Sequence, residues 1–146
     1  MAGGLNGNFD FSEFDAFLSK TQALLDSLPG FCETMANQLA QELLARCIKR
    51  TPVQTGTLKR NWLASSAVRR GDAYEVTVQN STLYASYVEY GHRQTPGRYV
   101  PAIKKRLKKS WVEGKFMMTI SANEIKNGAD AAIETALKKH IEGMLS

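Results

Sequence analysis

Cys32, Ala36, Leu39, Ala40, Leu43, Leu44, Cys47 and Ile48 recur at three- and four-residue steps, while Glu33, Asn37, Gln38, Gln41, Glu42 and Lys49 take the positions between them. That spacing predicts a helix with one apolar side. A one-sided helix cannot cover itself, so the fold must supply a second surface. Pro52 ends the helix, because the residue before a proline is pushed out of the helical region and the proline has no N–H. Beyond it the period changes from 3.6 to 2. Trp62, Ala64, Ser66 and Val68 alternate with polar or small neighbours; Arg70-Gly71-Asp72 reads as a turn; Tyr74, Val76 and Val78 alternate with Glu75, Thr77 and Gln79. Two strands and a short glycine-containing turn make a hairpin, whose apolar face the helix can cover.

The remaining segments are read the same way. Ser12 is placed to cap a helix through Ala16, Phe17, Leu18, Ala23, Leu24 and Leu25, ending near Leu28-Pro29-Gly30, so the striped helix counts as the second. Tyr84 with Val88 and Tyr87 with Gly91 have the spacing of a helical turn closed by glycine, although strand alternation fits as well. Residues 92–101 hold one glycine and two prolines and read as a loop. Ile103, Leu107 and Trp111 form a narrow apolar stripe among cations, which does not separate helix from strand. Phe116, Met118 and Ile120 alternate as in a strand, and Ser121 with Glu124 resembles a capping box opening a last helix. Ile133, Ala136, Leu137, His140, Ile141 and Met144 fall on one side of that helix. The expected fold class is α+β: helices packed on one face of a small antiparallel β-sheet, in a single domain over residues 12–146. Residues 1–11 are expected to be a flexible N-terminus, and 91–110 an irregular basic loop segment.

At 146 residues the chain has enough sequence for one hydrophobic core. No apolar run is long enough to span a bilayer, and Met1–Asn8 is rich in Gly and Asn, without a basic or apolar leader region; a soluble protein with no membrane partner is expected. Cys32 and Cys47, fifteen residues apart on one helix, lie roughly 22 Å from each other at about 1.5 Å per residue. A disulfide needs Cα atoms within about 7 Å, so two buried free thiols and a reducing compartment are expected.

Several kinds of chemistry can be weighed. The turn at Gly56 follows a helix and lacks the G-x-x-x-x-G-K-[ST] spacing that makes backbone amides converge on a phosphate. His92 and His140 have no second strong ligand at a recognisable spacing, so no metal site is expected, and His140 reads as a hydrogen-bonded, partly buried side chain. Glu89, Tyr90 and His92, with Glu75 as a partner carboxylate, can be drawn as an acid/base cluster, but nothing in the spacing makes them converge. The basic segment is a stronger signal. No acidic residue lies between Glu89 and Glu113, whereas Arg93, Arg98, Lys104, Lys105, Arg106, Lys108 and Lys109 do, and they exceed the whole net charge of +5. Such a field suits an acidic protein surface or a nucleic-acid backbone, and equally a solvated face.

Two stretches, "TPVQTGTLKRNW" from Thr51 and "YASYVEYG" from Tyr84, together resemble the paired signature of a family of tail-completion or neck proteins of long-tailed double-stranded DNA bacteriophages and prophages. Those proteins carry Thr-Pro-Val-Asp-Thr-Gly-x-Leu, then Tyr-Ala-x-Tyr-Val-Glu-aromatic-Gly, and commonly an Arg/Pro loop and a Pro-Ala, here Pro101-Ala102. Gln54 stands where the family has Asp, and His92 follows Gly91 where a small residue is often found. The resemblance implies a structural virion protein that assembles as a six-membered homo-oligomeric ring at the head–tail junction. Its implied partners are head-completion or connector proteins and tail terminator or tail-tube proteins, with non-specific DNA contact as the alternative. It implies no catalysis and no cofactor, and a location in the virion neck or tail after assembly in the host cytoplasm. On this reading Thr51, Pro52, Thr55, Gly56 and Leu58 form a structural hinge. Tyr84, Tyr87, Glu89, Tyr90, His92, Arg93, Arg98, Lys104, Lys105 and Arg106 are the expected interface, tyrosine and arginine being the types enriched in such surfaces.

Overall fold

A computed structural model describes residues 11–53 and 56–146. The expected flexible terminus, apart from Phe11, and the hinge residue Thr55 lie outside the described residues. Helix α1 runs from Ser12 to Arg50, and α4 from Met117 to Leu145. Between them come the short α2 (Thr57–Arg60), strands β1 (Trp62–Ala64), β2 (Val68–Arg70), β3 (Ala73–Glu75) and β4 (Val78–Asn80), and helix α3 (Ala85–Tyr90). Strands β5 (Gly91–Arg93) and β6 (Tyr99–Val100), a 3-10 turn (Pro101–Ile103), and strands β7 (Lys105–Arg106) and β8 (Trp111–Glu113) complete the fold. The class is α+β, as the sequence predicts, built from antiparallel strand pairs and two long helices.

The first two expected helices are one. Proline costs about 3 kcal/mol inside a helix, yet α1 continues through Pro29 because α4 grips it on both sides. Ser27 Oγ lies 2.7 Å from His140 Nε2, and the His140 ring sits 5.0 Å from that of Phe31. Further along, Arg46 donates to Glu124 at 2.5 Å, Arg50 pairs with the other oxygen of the same carboxylate, and Arg50 also donates to Ser121 Oγ at 3.2 Å. The helices are therefore antiparallel. At about 1.5 Å per residue, the 39 residues of α1 outreach the 29 of α4, and the first turns of α1 project past its end.

Two other helix expectations change. The last helix starts at Met117, so the Phe116–Ile120 alternation is not a strand; the strand in this region is β8. Ser121 and Glu124 are not a cap either, because Ser121 is buried and donates back to the Met117 carbonyl at 2.5 Å while Glu124 faces the arginines of α1. The stripe from Ile133 to Met144 does face inward, each member partly buried.

The core gathers Cys47, Leu58, Trp62 and Met117, with Leu43, Leu44, Ile48, Val78, Ala85, Val88 and Met118 packed around them. Cys47 is fully buried, and burial raises its thiol pKa. Cys32, by contrast, is exposed, because the sheet does not reach that turn of α1; only one of the two expected buried thiols is buried. At the C-terminus of α1, Thr51 Oγ1 donates to the Cys47 carbonyl at 2.6 Å and accepts from Trp62 Nε1 at 2.7 Å. One buried hydroxyl thus joins the helix to the first strand. The chain then turns at Gly56, whose φ of 78° favours glycine.

The hairpin is present but slips by one residue. Trp62 pairs with Asn80 and Ala64 with Val78, whereas Val68 pairs with Glu75, so three residues of one strand face two of the other. This bulge inverts the alternation beyond it, which is why Val68 is exposed. Residues 91–113 likewise form a second hairpin, where an irregular loop was expected: Gly91 pairs with Glu113, Arg93 with Trp111, and Tyr99 with Arg106.

Thr51→Val should keep the side-chain shape while stranding the indole N–H of Trp62, lowering stability by about 1–3 kcal/mol, measurable by urea unfolding. The two guanidinium groups hold the Glu124 carboxyl below the usual range, the Arg46 hydrogen bond contributing most. A carboxyl depressed on folding stabilises above its unfolded value, about 4.3, and loses that contribution as pH falls through the folded one. Glu124→Gln should therefore lower stability at neutral and alkaline pH and converge with the wild type as pH falls through the folded value, flattening the acid side of a stability-against-pH curve.

Candidate functional site

The two motif stretches, over twenty residues apart, meet in space. Pro52, Gly56 and Leu58 line one part of a cleft of about 490 Å³, Tyr84 at the cap of α3 with Tyr87 and Val88 within it a second, and His92, Val112, Glu113 and Lys115 a third. Its lining is mostly apolar. His92 Nδ1 is buried without a hydrogen-bond partner, and the His92 ring lies 5.9 Å from that of Tyr87.

Glu89 holds this assembly from behind. Its carboxylate accepts from the backbone N–H of Met118 at 2.9 Å and of Thr119 at 2.8 Å, and from the Thr119 hydroxyl at 2.7 Å. These amides belong to the first turn of α4, which has no side-chain cap of its own. A carboxylate there satisfies donors that the helix cannot and meets the positive end of its dipole. The carbonyls of Val88 and Glu89 also accept from Lys115 and Phe116 N–H at 2.7 and 3.0 Å. Gly91, at φ 85°, lets the chain leave α3 against the β8 backbone, since a Cβ there would meet the carbonyl oxygen of Val112. Phe116, the residue before α4, takes a left-handed conformation at φ 47° to complete the junction.

The expected interface residues divide three ways. Tyr84, Tyr87 and Tyr90 are exposed at three-residue spacing along α3, beside Leu83, which is almost wholly exposed. Glu89 is only 6% exposed, and its carboxylate is committed within the subunit. Arg93 is exposed on β5; Arg98, Lys104, Lys105 and Arg106 are exposed further out on the second hairpin, where Arg106 donates to the Gly97 carbonyl at 2.9 Å. The structure thus joins Tyr84, Tyr87 and His92 around one cleft, leaves Tyr90 outside it against the Phe116 ring, and sets most of the cations on an arm leading away from it. The conceivable acid/base cluster does not form, because Glu89 is bound to α4 and Glu75 pairs with Arg70 at 2.7 Å. Among the described residues no group of three or more His, Cys, Asp or Glu is placed to hold a metal ion, and no helix is long and apolar enough to cross a membrane.

Sequence reasoning missed the role of Thr119 and the convergence on the cleft. A carboxylate thirty residues before the amides it caps leaves no local signature.

The profile of the family described as "Bacteriophage HK97-gp10, putative tail-component" matches residues 15–91, just over half of the chain. No curated protein and no solved structure matches it. The matched span contains both motif stretches and ends at the glycine that closes α3.

Glu89→Ala should uncap α4 and cost about 2–3 kcal/mol, with Glu89→Gln costing less because it keeps one acceptor. Chemical denaturation of the purified variants measures this; an Ala variant as stable as the wild type would show that the carboxylate acts elsewhere.

Proposed function

Since the chain belongs to the HK97-gp10-like family of bacteriophage tail components, we propose that this structural virion protein forms a homo-oligomeric ring at the head–tail junction, joining the head connector to the tail. In this reading six copies make the ring, no bond is made or broken, and no cofactor is used. Assembly takes place in the host cytoplasm, and the product resides in the neck or tail of the virion.

The observation that carries the proposal is surface left over by the fold. Among the described residues, the fold leaves large side chains uncovered around two elements. Much of that surface is apolar and aromatic: Leu83 and Tyr84 just before α3, Tyr87 and Tyr90 on it, and Phe14, Phe17 and Leu18 on α1. Monomeric proteins seldom leave contiguous apolar patches uncovered, whereas subunits of assemblies do. The second hairpin adds a different kind of surface. A two-stranded ribbon is marginal by itself, and this one has every residue from Pro101 to Arg106 exposed. Its cations suit an acidic face on the adjoining ring, with a head-completion, terminator or tube protein as the carrier of that face.

The same arm favours one alternative, contact with the DNA that passes through the junction. Phosphate binding needs no reading motif, and its affinity falls steeply with salt.

Replacing Lys104, Lys105 and Arg106 together with Ala should weaken attachment of the ring to its neighbour and flatten the dependence of attachment on ionic strength. Co-sedimentation with purified connector and tail particles at several salt concentrations measures it. Unchanged attachment would remove the electrostatic part of the proposal, and low-salt binding of random duplex DNA that is lost in the triple variant would favour the alternative.

A further inference from the structure

The ring reading says that copies meet without saying through which surfaces, and two features of the subunit answer each other. The first turns of α1, which project beyond α4, carry Phe14 at 57%, Phe17 at 54% and Leu18 at 48% exposure. Phe14 and Leu18 are four residues apart and Phe14 and Phe17 three, so all three share one side of the helix. Glu13 and Asp15 lie in its first turn.

The cleft beside α3 has the complementary character. Its walls are mostly apolar, its volume of about 490 Å³ accommodates bulky side chains, and Lys115 and Glu113 are among its lining residues. Exposed Arg60 stands beside Gly56, its guanidinium at the edge of the cleft. An acidic, phenylalanine-bearing helix tip therefore matches an apolar cleft where Arg60 and Lys115 outweigh the one acid, Glu113.

Resting on the ring reading, we infer that the N-terminal turns of α1 in one copy dock through Phe14 and Phe17 into the cleft between α3 and the Gly56 turn of the next. Tip and cleft are different surfaces of the same chain. Each copy therefore gives one and receives one, a head-to-tail contact that closes into a ring when the rotation between copies permits.

A photo-crosslinking phenylalanine analogue at position 17 tests this, in the purified full chain and in assembled particles, alongside the mass of the purified protein by light scattering. The expected adduct joins position 17 to residues 84–92 of a second copy. Phe14→Glu with Phe17→Glu, both surface changes, should weaken self-association at least about tenfold with unchanged thermal stability. Mixed with a Tyr87→Glu variant, that double variant should form a one-to-one pair and nothing larger, because only one intact tip and one intact cleft remain. An adduct between two α1 helices, an adduct to another virion protein alone, or full self-association of the Glu variants would overturn the docking and leave the ring standing. A monomer with no copy-to-copy adduct, in solution and in particles, would overturn both.

Discussion

The buried carboxylate of Glu89 is the constraint from which the rest of the middle of this protein is organised. It binds two amides and a hydroxyl in the first turn of α4, so the end of α3 and the start of α4 become one unit. The Gly91 turn, the β5–β8 pair and the left-handed Phe116 all sit within a few residues of that contact. Remove the charge, and α4 begins with unsatisfied donors beside a residue in an unfavourable conformation. The cleft wall formed by Tyr84, Tyr87 and Val88 is held in place by the same helix that presents Glu89 on its other side. A side chain that looks like an interface residue in the sequence thus shapes the interface from behind.

Stability is unevenly distributed as a result. The contacts around Cys47, Trp62 and Met117 tie α1, the first hairpin and α4 together, and the paired arginines on Glu124 extend that tie along the helices. Outside this region, the tip of α1 and the second hairpin are held mainly by their own backbone hydrogen bonds. Segments with few buried apolar contacts open most readily, and they are the segments that the proposed assembly would cover. A subunit built this way keeps its core independent of its neighbours and leaves its edges to be completed by them.

The sequence made the periodic elements legible. The α1 stripe from Ala36 to Ile48, the α4 stripe from Ile133 to Met144 and the existence of the first hairpin follow from spacing alone, because each reflects burial of one side of a regular element. What was not legible depended on partners distant in sequence. Pro29 lies inside a helix whose flanking Ser27 and Phe31 are held by His140, over a hundred residues away. Ser121 and Glu124 have the spacing of a cap but serve α1 from within α4. The one-residue slip between Ala64 and Val68 has no signature, since a bulge needs both strands to be seen. The two family motifs were legible as motifs; that they form opposite walls of one cleft required the fold.

The two thiols on α1 are sorted by the same geometry. Cys32 is exposed, while Cys47 is sealed in the core, and burial holds it in its unreactive protonated form. A thiol-specific reagent applied to the native subunit will mark the outer position and pass over the inner one. Cys47 becomes available only when α1 separates from α4 and Trp62, so the molecule carries a built-in chemical clock for the opening of its core, with a second thiol on the same helix as the internal standard.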